Sequence, residues 1–111
     1  MTAAQFRKIA LSFPETTEQV HMGHPDFRVA GKIFATLGYP GKEWGMVALN
    51  ADQQVSFTEA EPDAFVPVKG NWGRKGATNV KLRAVSLRSL RDALEFAWLN
   101  KAPKRLANQS G

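Results

Sequence analysis

The sequence predicts an α+β fold: a two-layer α/β sandwich in which terminal helices cover one face of an antiparallel sheet. Three observations predict it. Helix signals bracket the chain, at Thr2 with Gln5 and again at Ser86 ahead of an apolar stripe. Between them lie short apolar or alternating stretches separated by Gly- and Pro-containing turns, the pattern of antiparallel strands. The chain is 111 residues long, which suits one domain, 1–111, with one core.

Thr2 and Gln5 have capping-box spacing, and Phe6, Ile9, Ala10 and Phe13 follow near one helical face. A helix is therefore predicted over 3–12, ended by Phe13-Pro14 because the residue before proline is pushed out of the helical region. Residues 18–22 alternate and predict a first strand with Val20 and Met22 inward, after which Gly23-His24-Pro25 turns the chain.

Residues 26–29 and 32–37 carry aromatic and β-branched side chains around Gly31 and predict a hairpin. A two-residue loop, Ala30-Gly31, would leave Ile33 beside Arg28. A three-residue loop, 30–32, aligns Phe27 and Val29 with Ile33 and Ala35 and gives the cleaner apolar face, so it is preferred.

Beyond the turn-rich run 38–43, residues 44–49 predict a strand with Trp44, Met46 and Ala48 on one face. Asn50 with Gln53 three residues on predicts a short helix over 51–60, stopped by Glu61-Pro62-Asp63. Residues 65–68 are interrupted by Pro67 and read as an edge segment. Residues 69–76 read as a glycine-rich loop whose spacing does not match a phosphate-binding motif. Residues 78–83 alternate, with Val80 and Leu82 inward and Asn79, Lys81 and Arg83 outward. Ser86 then caps a helix with Leu87, Leu90, Ala93, Leu94, Ala97 and Trp98 on its amphipathic stripe, closed by Pro103 near Ala102. A polar tail over 108–111 is expected after it.

Charge is unevenly placed. Residues 1–68 hold five cations against eight carboxylates, whereas 69–111 hold ten against two, so the net +5 is concentrated in the last third. That asymmetry suits an anionic partner, although a basic solvated surface has the same signature. There is no cysteine, which excludes disulfides and thiolate metal sites. No apolar run reaches a membrane span, and Arg7 and Lys8 interrupt any signal-peptide core, so a cytoplasmic protein is expected.

His21 and His24 are three residues apart, but on strand and loop that spacing is expected to aim them at opposite sides. No metal and no cofactor are expected. An enzyme is not expected either: the chain has no cysteine nucleophile and no convincing Ser-His-carboxylate order, and His21, His24 and Asp26 read as structural.

His24-Pro25-Asp26-Phe27, Gly31-Lys32-Ile33-Phe34-Ala35, Trp44-Gly45, Trp72-Gly73 followed by Gly76-Ala77-Thr78, and Ala102-Pro103-Lys104-Arg105 together resemble the MmcQ/YjbR family. The resemblance spans nearly the whole chain. It implies a CyaY-like, frataxin-like sandwich and a DNA-binding role, with hairpin loops as wings on the duplex. Frataxins carry an acidic iron-binding ridge on the first helix, where this chain has Arg7 and Lys8, so iron delivery is not carried over.

The expected nucleic-acid site is a basic wing. Lys69, Arg74 and Lys75 would meet phosphates, Lys81 and Arg83 would extend the track, and Arg28 and Lys32 are weaker candidates for a second wing. Trp72 reads as a core anchor plugging the sheet edge, or, if exposed, as a stacking or wedging group. The alternative is an interaction module: the open sheet face, with Tyr39 or Trp44, receiving an acidic protein or a small ligand.

Overall fold

In the computed structural model, which describes residues 1–110, the first helix, α1 (Ala3–Leu11), is set by local chemistry. The Thr2 hydroxyl accepts from Gln5 N–H at 3.1 Å, and the Gln5 side chain accepts from Thr2 N–H at 2.8 Å. Two otherwise orphaned donors are thereby satisfied, and Phe6 and Ala10 turn to the core. Strands β1 (Thr16–His21), β2 (His24–Val29), β3 (Lys32–Leu37) and β4 (Trp44–Ala48) follow. Then come α2 (Ala51–Ala60), β5 (Phe65–Pro67), α3 (Asn71–Lys75), β6 (Ala77–Lys81), α4 (Leu87–Lys101) and α5 (Lys104–Ser110).

The strands form one antiparallel sheet in the order β1-β2-β3-β4-β6-β5. Cross-strand rows show which face is buried. Phe27, Ala35, Val47 and Thr78 form one row, and Leu37, Gly45, Val80 and Phe65 another, pointing to the same side. The helices lie over them, with the Phe6 ring 6.0 Å from Phe27 and Phe57 of α2 5.0 Å from Phe65. Trp98 of α4 is fully buried; its indole N–H donates to the Pro14 carbonyl at 3.2 Å and Phe13 stacks on it. The expected α+β architecture holds, as do the capped helix over 51–60 and the edge position of residues 65–67. Among the described residues, no helix is long and apolar enough to cross a membrane.

Both hairpins depart from expectation in register. The β1–β2 turn is Met22-Gly23, both in the left-handed region, so His24 and Pro25 lie within β2 and His21 sits directly opposite His24. Opposed residues share a face, so the two imidazoles are not aimed apart. Among the described residues, no three His, Asp or Glu side chains gather where a metal ion could be held.

The β2–β3 turn is the two-residue loop, with Val29 opposite Lys32 and Arg28 opposite Ile33. A bulge then inserts one residue, and Phe27 faces Ala35 as the longer loop would have had it. The bulge lets a tight turn coexist with a continuous apolar row.

Three further expectations are corrected. Val20 shares a face with Phe27 but is 70% exposed, and Met22, in the turn, is 86% exposed, so neither side chain is covered by a helix among the described residues. Residues 71–75 are a short helix rather than part of a loop. Residues 104–110 continue as α5 instead of a polar tail, with Leu106 buried and the Pro103 carbonyl accepting from Leu106 and Ala107; residue 111 lies outside the described residues.

Candidate nucleic-acid interface

The glycine-rich run is held in place by close backbone packing. A Cβ at Gly73 would lie 1.5 Å from the Val68 carbonyl oxygen, so α3 rests directly on the chain that leads into it. Gly76 has φ 121°, and a Cβ there would lie 2.2 Å from the Leu49 carbonyl oxygen. From α2, the Gln54 side-chain amide donates to the carbonyls of Gly73 and Ala77 at 2.9 and 3.0 Å, clamping both ends of the turn into β6. A five-residue helix has no independent stability, so these tertiary contacts are what fix its orientation.

This scaffold presents Trp72 at 67% exposure, so the ring is a surface group and the core-anchor expectation fails. The physical reason is space: the position that meets Val68 is occupied by Gly73, which leaves no room for an indole there. Lys69, Arg74 and Lys75 are exposed beside it, and none forms an ion pair among the described residues.

The other two cations of the expected track lie apart. Lys81 is at the far end of β6, four residues from Ala77 or about 13 Å along a strand, with its Nζ 6.0 Å from the centroid of the Trp44 ring. Arg83 falls beyond the strand, where it pairs with Glu43 at 2.5 Å. On the first hairpin, Arg28 is committed to buried Asp26 through two hydrogen bonds of 2.9 and 3.1 Å, which hold its pKa above the ordinary guanidinium value. Lys32 is exposed. Of the six expected residues, Lys69, Trp72, Arg74 and Lys75 therefore share one surface at α3, and Lys81 and Arg83 lie apart from it.

Gln54 was not foreseen as part of this arrangement. Its neighbours in sequence form an ordinary polar helix face, and nothing local signals that its amide reaches 19 and 23 residues ahead. A groove of about 430 Å³ between α2 and α4 is lined by Phe57 and Phe96 with Asp52 and Asp92. Its carboxylates oppose an anionic ligand.

An antiparallel sheet backed by helices, with a basic, aromatic-bearing α3 immediately before β6, defines an α+β protein with a candidate surface site rather than a deep pocket. The chain belongs to the YjbR family, whose model matches residues 11–100. Among solved structures it is similar to the crystal structure of Deinococcus radiodurans protein DR2400, of the DUF419 domain family, at 15% identity and a TM-score of 0.77. That match covers 97% of this chain and 86% of the other, and it shows a shared fold. A comparison with curated protein sequences returned no match.

Proposed function

We propose that this YjbR-family protein is a non-enzymatic, sequence-tolerant DNA-binding protein of the cytoplasm whose contact surface is α3. The observation that carries the reading is the exposed Trp72 on a glycine-clamped helix, beside three cations without ion-pair partners among the described residues. An indole fixed at the surface offers a π-face to a base, and the flanking charges meet phosphates without first breaking an internal ion pair. Lys69, Arg74 and Lys75 give about three phosphate contacts, so log affinity should fall with log salt at a slope of about −2.7 on duplex DNA.

The test is a titration of the protein against a short duplex and a matching single strand at about 50 and 200 mM salt. That change should cost wild type about 40-fold on the duplex, and Arg74→Ala/Lys75→Ala should reduce the slope to about −0.9. Trp72→Ala should weaken the single strand about 5- to 150-fold, the value of one stacked base. Salt-independent binding, or equal affinity of the double variant, would refute the reading.

A second reading rests on Lys81 lying over Trp44 on the sheet face opposite the helices, where Met46, Asn79 and Val66 also project. Such a platform suits an acidic protein segment or a small anionic ligand. It predicts binding lost with Trp44→Ala and indifferent to Arg74 and Lys75.

A further inference from the structure

The two edges of the sheet are treated differently. At one, β5 is only three residues long and ends in Pro67, and the chain then runs through Val68 into α3. Short length and proline are common protections against strand addition. At the other edge, β1 is six residues, Thr16–His21, with no proline, no lysine and no bulge in its pairing with β2. The two-residue turn makes His21 and His24 a hydrogen-bonded pair, so Thr17, Gln19 and His21 direct their backbone groups to β2. Thr16, Glu18 and Val20 direct theirs outward. Pro25, opposite Val20, agrees with this, because at a non-hydrogen-bonded position its missing N–H costs the β1 ladder nothing. Exposed apolar side chains mark the end of the strand: Val20 at 70% and Met22 at 86%.

We infer that β1 is a self-association edge, pairing antiparallel with β1 of a second copy about a two-fold axis through Gln19. The register follows from charge and turn geometry. Centring on Glu18 would set two carboxylates opposite each other, and centring on Val20 would leave only the Val20 pair, among the outward-directed residues, in regular strand geometry, because Glu18 would then face Met22, whose φ is 52°. Centring on Gln19 places Glu18 opposite Val20 of the other copy, in pairs that exchange backbone hydrogen bonds. Each Glu18 carboxylate already has Arg7 at 2.5 Å, so no unpaired like charges meet. On the other face, Gln19 meets Gln19 and Thr17 meets His21, with no carboxylate among them. Six residues of strand with a few apolar side chains make a small interface, so the dimer is weak and concentration-dependent. Because each copy carries a net +5, salt screens their repulsion and strengthens the dimer.

Sedimentation of the purified chain from about 10 µM to 1 mM tests this. The mass should rise from 12.2 kDa toward twice that value, more steeply at high salt. Val20→Lys should hold it at monomer, as should Val20→Pro, which removes an outward N–H; circular dichroism checks that each variant folds. The register has its own readout, since the chain has no cysteine. Gln19→Cys would place two thiols at a non-hydrogen-bonded pair with Cα atoms about 4.5 Å apart, within disulfide range, and should oxidise to a covalent dimer. Thr17→Cys would leave its two copies about 13 Å apart and should remain uncrosslinked. A monomer throughout, a dimer that survives both folded Val20 variants, or crosslinking of Thr17→Cys in place of Gln19→Cys would each overturn the inference.

Discussion

Replacing Gly73 by alanine tests whether α3 is a fixed platform. The added Cβ would lie 1.5 Å from the Val68 carbonyl oxygen and 2.6 Å from its carbon, backbone atoms that no rotamer change can move. Restoring ordinary contact requires α3 and Val68 to separate by about 2 Å, since ordinary van der Waals contact of a Cβ begins at 3.4 Å. That displacement breaks at least one of the two hydrogen bonds from Gln54, each worth about 0.5–1.5 kcal/mol, and opens the packing between α2 and β6. Loss of hydrogen bonding plus local repacking comes to about 3 kcal/mol, a substantial share of the 5–15 kcal/mol typical of a domain. Thermal unfolding should show the midpoint falling by about 12–24 °C. Trp72→Ala, whose ring is exposed, should shift it little. The comparison separates scaffold from contact: Gly73→Ala should lose both stability and DNA affinity, Trp72→Ala affinity alone. A Gly73→Ala protein with wild-type stability would refute the claim that tertiary packing sets the orientation of α3.

Two other predictions concern stability. Glu61 caps the start of α4, accepting from the Ser86 backbone N–H and hydroxyl at 3.1 Å and from the Ser89 hydroxyl. Burial alone would raise its pKa, but the hydrogen bonds from Ser89 and Ser86 outweigh it and hold the group below the ordinary carboxylate value. A depressed carboxylate stabilises the fold above its unfolded pKa, near 4.3, and that contribution disappears as pH falls through the folded value. Glu61→Ala should cost about 1 kcal/mol at pH 7 and reduce the loss of urea resistance between about pH 5 and 3. Part of that loss should remain, because Glu15 is likewise depressed by hydrogen bonds from Arg105; an unchanged acid limb would exclude Glu61 as a contributor. Ala30 occupies φ 51° in the β2–β3 turn, a conformation favourable to asparagine. Ala30→Asn should raise stability by about 0.5 kcal/mol in urea titrations, and a loss would contradict the left-handed assignment.

What was legible in the sequence was what short-range chemistry controls. The pairs Thr2 with Gln5 and Asn50 with Gln53 each satisfy one another's backbone donors, so two helix starts could be placed to the residue. The alternation of Val80 and Leu82 against Lys81 also survived, because β6 is paired on both sides and has one face under helices. Alternation misled at β1 for a definable reason: it assigns Val20 to a face but cannot say whether a helix extends over it. The helix α3 was hidden because three glycines within 69–76 lower its intrinsic propensity, and its order comes from Val68, Leu49 and Gln54. The helix α5 was hidden behind Pro103, read as a stop, although proline also suits a helix start. Of the candidate site, the residue types were visible but their grouping was not, because the length of β6 separates Lys81 from α3.

The two proposed surfaces lie toward opposite ends of the strand order, β1 at one edge and α3 packed against Val68, just past β5, at the other. Their driving forces also oppose each other in salt. Phosphate binding at α3 releases counterions and weakens as ionic strength rises, whereas β1 pairing between like-charged copies gains from screening. If a single surface served both roles, one variant would abolish both and the two salt responses could not differ in sign. Val20→Lys should therefore remove concentration-dependent mass while leaving a monomer with the full salt slope on a short duplex. Arg74→Ala/Lys75→Ala should do the reverse. Loss of both properties in either variant would mean that the edge and the helix are coupled, and that the intervening sheet transmits a change the separate-surface argument does not contain.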